Sequence, residues 1–131
     1  MKPLAIWLAA VAVAFGALTA ATVLTRSTER VFVVVDSSYP MRAVWADVPA
    51  ELRSIGDRDR AEFALATEKS MVHDYGGDLS LAGVDPFAPC DLSSIEGYPA
   101  AAEADERILV TTAASCPTDA LVGWTVVELR P

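Results

Sequence analysis

Apolar residues fall along this chain in three rhythms. From Leu4 to Leu24 they run on without a charged residue or a proline. A helix over those 21 residues would span about 31 Å, enough to cross a bilayer core. From Val31 to Val35 a short run of mostly β-branched residues has the character of a strand buried on both faces. It ends abruptly in Asp36, Ser37, Ser38, Tyr39 and Pro40.

Beyond that corner the pattern alternates between helical and extended periods. Residues 41–55 place Val44, Val48, Leu52 and Ile55 on one side at helical spacing, with Trp45 beside them. Asp47 is placed to cap a fresh start before Pro49, and Gly56 to stop the helix. Residues 60–67 alternate: Phe63, Leu65 and Thr67 point one way, Glu62, Ala64 and Ala66 the other. Glu68, Lys69 and Ser70 turn this strand back into an edge strand over residues 71–75, which Gly76 and Gly77 end. Residues 85–90 read as loop, residues 91–105 as a weak helix interrupted by Pro99, and residues 107–112 as a second buried strand. Residues 113–121 read as loop with a helical turn after Pro117, and residues 123–129 as a closing strand. Strands alternating with helical connections predict a small three-layer α/β domain, a doubly wound, mostly parallel sheet with one antiparallel edge strand. Right-handed crossovers bring the carboxyl ends of the parallel strands, Asp36 and Thr112 among them, to one rim, where open α/β sheets bind ligands.

The organisation that follows is a transmembrane anchor over residues 1–25, a polar linker over 26–30 and one domain over 31–131. A cleaved secretion signal is the alternative for the first segment, with Thr19, Ala20 and Ala21 as its cleavage candidate. Charge does not orient the anchor, because Lys2 flanks one end and Arg26 and Arg30 the other. The short N-terminal tail favours a single pass through a bacterial-type inner membrane with the domain on the extracytoplasmic side. Ala12, Gly16 and Ala20 recur every fourth residue, a spacing that lets membrane helices approach closely, although alanine supplies eight of the 21 residues.

Composition narrows the partners. The whole chain of 131 residues carries a formal net charge of −8, and all 18 acidic residues lie beyond the anchor. Such a domain does not bind nucleic acid, which needs clustered Lys and Arg, and is repelled by anionic lipid heads. Contact with lipid is left to the N-terminal helix. No nucleophile elbow, phosphate-binding glycine loop or metal-spaced His/Cys cluster appears. The single histidine, His73, precedes Asp74. On a strand such neighbours point to opposite faces, so the two do not make a base held by a carboxylate.

With these elements in place, the domain resembles a shortened von Willebrand factor type A domain over roughly residues 30–129. The resemblance rests on "VFVVVDSSYPM", on the hairpin "RAEFALATEKSMVHD" and on "RILVTTAAS" as the strand after the crossover. It implies a doubly wound sheet with one antiparallel edge and a metal-ion-dependent adhesion site whose first loop reads Asp-x-Ser-x-Ser. Asp36 and Ser38 match the first two ligands, while Pro40 replaces the second serine. Ser93 and Ser94 are candidates for the threonine of the second loop. Thr112 stands where the third loop offers an aspartate. Magnesium seeks six oxygens in near-octahedral geometry, so this ligand set is thinned. The other reading of Asp36 and Ser38 is that they bond nearby backbone N–H groups and cap the next helix.

The two cysteines, Cys90 and Cys116, flank the predicted helix and strand between them. If that helix runs back down the sheet, both reach the binding rim, where a disulfide would close a loop of about 27 residues. Two free thiols are the alternative for a domain facing the cytoplasm. The functional expectation is a non-catalytic accessory subunit without a cofactor, docked onto a larger membrane protein or complex. The alternatives are a module that binds its partner through magnesium or calcium at Asp36 and Ser38, and an exported hydrolase limited to Asp36, His73 and Asp74.

Overall fold

The computed structural model describes residues 27–131 and, before them, Ala12 and Val13. The expected anchor, with Gly16 and Ala20 of its small-residue face, otherwise lies outside the described residues, although Ala12 is helical. Among the described residues no helix is long and apolar enough to cross a membrane.

The fold is mixed α/β: a five-stranded, mostly parallel sheet with one antiparallel pair. Strand β1 (Glu29–Val35) lies at its centre, between β2 (Ala61–Thr67) and β4 (Glu106–Thr112). Strand β3 (Met71–His73) pairs antiparallel with β2 at one edge, and β5 (Trp124–Leu129) pairs parallel with β4 at the other. Val31 to Val35 are all 0 % exposed because β1 has a strand on each side and packing on each face. Val31, Val33 and Val35 face a core with helix α1 (Val48–Gly56), through Val48, Leu52 and Ile55. Phe32 and Val34 face the opposite core with helix α2 (Pro99–Glu103), through Ala100 and Ala101. Alanines at 64 and 66 keep that second layer thin, and Phe32 fills it edge-on against Tyr98, ring centroids 5.9 Å apart. Burying each of the five β1 side chains contributes about 1.5–3 kcal/mol.

Three expectations need correcting. The fresh helix start expected before Pro49 is present, at Val48, but the segment before it is not α-helical. Two 3-10 turns, Tyr39–Ala43 and Trp45–Asp47, lead into α1. Asp47 therefore enters α1 with helical backbone angles, φ −88° and ψ −16°, and makes no side-chain cap; a capping residue needs extended angles to turn its oxygen onto the N–H groups ahead. Gly56 is the last helical residue, and the cap falls on Asp57.

Pro99 begins α2 instead of interrupting a longer helix, as a first-turn proline can. No helical turn follows Pro117. Residues 113–123 cross from β4 to β5 as turns and irregular chain, and Gly123, at φ +81°, makes the left-handed bend into β5. Trp45 and Trp124 both pack against the cores, as expected, and the Trp124 indole N–H also donates to Glu96 at 3.2 Å.

Candidate functional site at the carboxyl rim

Asp36 is the first residue past β1, and its N–H still donates to the Val110 carbonyl at 2.9 Å, as though the strand continued. Its side chain is then locked in place. Oδ1 accepts the Ser38 N–H at 2.9 Å, and Oδ2 accepts the Thr111 hydroxyl at 2.8 Å and the Ser115 hydroxyl. Ser38 Oγ lies 3.3 Å from Ser115 Oγ. Asp36 and Ser38 are both 0 % exposed. Cys90 Sγ stands 3.9 Å from Asp36 Oδ2; a bridged sulfur carries no proton, so this is packing and not a donor contact.

Beside this corner sits a second polar knot. Glu68 Oε2 accepts the Ser37 N–H at 2.7 Å, and the Glu68 carboxylate also contacts Ser37 Oγ and the Lys69 ammonium. Lys69 Nζ donates further to Ser37 Oγ at 2.8 Å and to the Ser37 carbonyl at 2.9 Å. All three ammonium protons are thus engaged. A serine hydroxyl against a lysine amine could suggest a nucleophile with its base. Here the lysine is committed as an ion to Glu68, and Ser37 is 1 % exposed. The knot holds the β1 exit to the β2–β3 hairpin turn.

Residues 85–90 form a flap over both knots. The Phe87 N–H donates to the Ser37 carbonyl at 2.8 Å, the Tyr39 N–H to the Ala88 carbonyl at 2.9 Å, and the Arg42 Nε to the Pro86 carbonyl at 3.3 Å. Ala88 is held at φ +66°, a left-handed conformation that costs an alanine about 1–2 kcal/mol. Cys90 ends the flap and is paired with Cys116, Cα atoms 5.7 Å apart and 26 residues apart in sequence. The expected pairing is therefore met in geometry, with both cysteines on the rim.

The corner does not fit a resident divalent cation. A hard ion would need about six oxygen ligands. Asp36 supplies the one carboxylate here, both of its oxygens already accept, and Thr111 and Ser115 turn their protons toward it. The second- and third-loop candidates do not meet it. Ser93 Oγ bonds Asp91 at 2.6 Å and Ser94 Oγ the Glu68 carbonyl at 3.0 Å. Strand alternation sends Thr111 to Asp36 in place of Thr112. Thr112 lines a polar cavity of about 260 Å³ together with Thr111, Ser115, Thr118, Asp119 and Glu128. Among the described residues no group of three His, Cys, Asp or Glu is arranged to hold a metal ion. Ser38 precedes the first 3-10 turn but makes no side-chain cap, because its hydroxyl faces Ser115. Asp36 does bond a nearby backbone N–H, that of Ser38.

The hydrolase trio does not converge either. The His73 ring nitrogens meet the carbonyls of Asp74 and Asp78, and the Asp74 carboxylate accepts the Tyr75 N–H at 2.8 Å. Two aromatic side chains on the rim are half exposed: Tyr39 is 51 % and Phe87 54 % accessible. Between Phe87, Val72, Val84 and Lys69 lies a cavity of about 360 Å³. Sequence reasoning missed Ser115, Thr111, Glu68 and Lys69. The signal present was a hydroxyl run at the end of a buried strand and a charged pair in a turn directly after another.

Compared with known proteins, the chain matches no family model, no curated protein and no solved structure.

Proposed function

We propose that this chain is a membrane-anchored, non-catalytic interaction subunit. Its N-terminal segment holds it in the lipid of a bacterial-type inner membrane. Its domain, a three-layer, doubly wound, von Willebrand A-like unit on the extracytoplasmic side, docks onto a larger membrane protein or complex. Support for the domain class comes from the strand order β3-β2-β1-β4-β5 with an antiparallel hairpin at one edge, and from an Asp-x-Ser corner on the carboxyl rim. The observation that carries the functional reading is the character of that rim. Asp36, Glu68 and Lys69 are committed to internal partners, while two half-exposed rings face solvent, Tyr39 under the Arg42 guanidinium and Phe87 under the Lys69 ammonium beside a cavity. Exposed aromatic side chains on a rigid polar base suit a protein partner better than a reaction.

The test is purification of the full chain from native membranes in mild detergent, with intact-mass measurement. The expected result is a stoichiometric membrane-protein companion and an uncleaved chain. The double substitution Tyr39→Ser, Phe87→Ser, both at exposed positions, should lose the companion while leaving the circular dichroism spectrum unchanged. A chain that migrates alone overturns the reading.

A further inference from the structure

We infer that the Asp36 corner is a cation-free lock whose closure depends on the Cys90–Cys116 bond: hydroxyl donors do the work of an ion, and the disulfide latches them in place. The lock is built around a buried carboxyl group. Asp36 is sealed from solvent, and the hydrogen bonds that reach its carboxylate come from Ser38, Thr111 and Ser115, none of them cationic. Several hydrogen bonds from neutral donors can satisfy a buried carboxylate where no counter-ion stands beside it. One of those donors, Thr111, lies in β4, and Ser38 sits in the corner three residues past the end of β1. The third, Ser115, belongs to the irregular crossover of residues 113–123 and is positioned by its Thr112 turn bond, at 3.0 Å, and by Cys116 next to it.

The other side of the seal is the flap of residues 85–90. It is tied to the β1 exit by the Phe87 and Tyr39 N–H bonds and carries the left-handed Ala88. The strain at Ala88 favours release, and Cys90 opposes it. One covalent bond therefore joins the two elements that close over Asp36, a flap and a crossover, each without a helix or strand of its own. Thiol–disulfide exchange with a dithiol would break the Cys90–Cys116 bond, add two electrons and two protons to give two thiols, and leave the dithiol as its own disulfide. Flap and crossover would then be held to the rim by hydrogen bonds alone, and water would reach Asp36. The inference concerns the fold of the rim and does not depend on the docking partner proposed above.

Hydrogen exchange of the full chain in mild detergent, with and without a dithiol, tests it. Reduction should raise amide exchange about tenfold or more at residues 36–39, 86–90 and 113–117. The β1 amides of residues 31–35 should keep their protection, and the melting temperature should fall on the order of 10 °C. Magnesium or calcium at millimolar concentration should leave the melting temperature unchanged in both redox states. With the disulfide intact, Ser115→Ala should raise exchange at residues 36–38 and 113–117, a result that stays readable even if the reduced chain does not fold. Exchange that rises uniformly, exchange confined to the cysteines themselves, no response to Ser115→Ala, or stabilisation by either cation overturns the inference.

Discussion

At the amino end of the sheet, Arg30 reaches Glu103 at 3.3 Å and Glu62 at 3.9 Å, and Arg58 contacts Glu106. At the carboxyl end, Asp36 and Glu68 take their bonds from hydroxyls, backbone N–H groups and one lysine. The amino-end groups keep contact with water: the Arg30 and Glu62 side chains are 47 % and 45 % exposed, and those of Arg58 and Glu106 34 % and 27 %. Asp36 is wholly covered. Ion pairs of the first kind are worth about 0–1 kcal/mol each, because water competes for both partners. In the second kind a lost partner leaves a buried group with nothing to bond, at about 1–3 kcal/mol for each one. The lesson is that the end with fewer opposite-charge pairs holds the greater stake in stability, because burial, and not formal charge, sets the cost of breaking a contact.

The sharpest way to break this comparison is Asp36→Ala. It strands the Ser38 N–H and the hydroxyls of Thr111 and Ser115, and should lower stability by about 3 kcal/mol or more. Denaturant unfolding would measure this, and a loss no larger than that of a surface substitution would erase the difference between the two ends.

Next in size is Tyr98→Phe. The Tyr98 hydroxyl donates to the Thr67 carbonyl at 2.9 Å, tying the α2 layer to the rim. Its removal should cost about 1 kcal/mol. Burial, and then the nearby Glu68, push this phenol above its usual range; burial and then Glu103 do the same to Tyr75, which donates to the Ala100 carbonyl at 2.6 Å. A raised value means that the folded state holds its proton longer than the unfolded one. The contribution is therefore complete below the unfolded value and fades as pH climbs past about 10 toward the folded value. Thermal melts along that range should show the decline, and it should be shallower in Tyr98→Phe.

Smallest is Arg30→Ala at the amino end. The half-exposed pairs and the guanidinium's contact over the Tyr75 ring, 5.2 Å to the centroid, are lost, while the backbone N–H of residue 30 still donates to Asp105 Oδ2, at 2.9 Å. The change should be about 0.5 kcal/mol and should vanish in high salt. A loss rivalling that of Asp36→Ala would reverse the ranking.

The same contrast explains what could be read from the chain. Strands β1, β2, β4 and β5 announce themselves because burial on one or two faces imposes a local pattern on consecutive residues. The turn at Glu68–Ser70 and the apolar side of α1 were legible for the same reason. The breaks were not. Whether residues 39–47 wind as 3-10 turns or α-helix, and whether Pro99 starts or interrupts a helix, depends on where the chain must land on the sheet. The rim was half legible. Asp36 and Ser38 stand out as polar residues closing an apolar strand, but Thr111 and Thr112 are neighbours that only strand register can tell apart. Register puts Val35 beside Val110, and the next step carries Thr111 to Asp36.

Sequence alone determined the buried strands, the antiparallel hairpin and the acidic, cation-poor character of the domain, because each is written in adjacent residues or in their sum. Tertiary structure alone decided that Ser115 closes on a carboxylate 79 positions away and that Lys69 is consumed by Ser37 and Glu68. Those contacts arise only when crossovers bring distant loops to one rim, and periodicity carries no information about which loop arrives beside which.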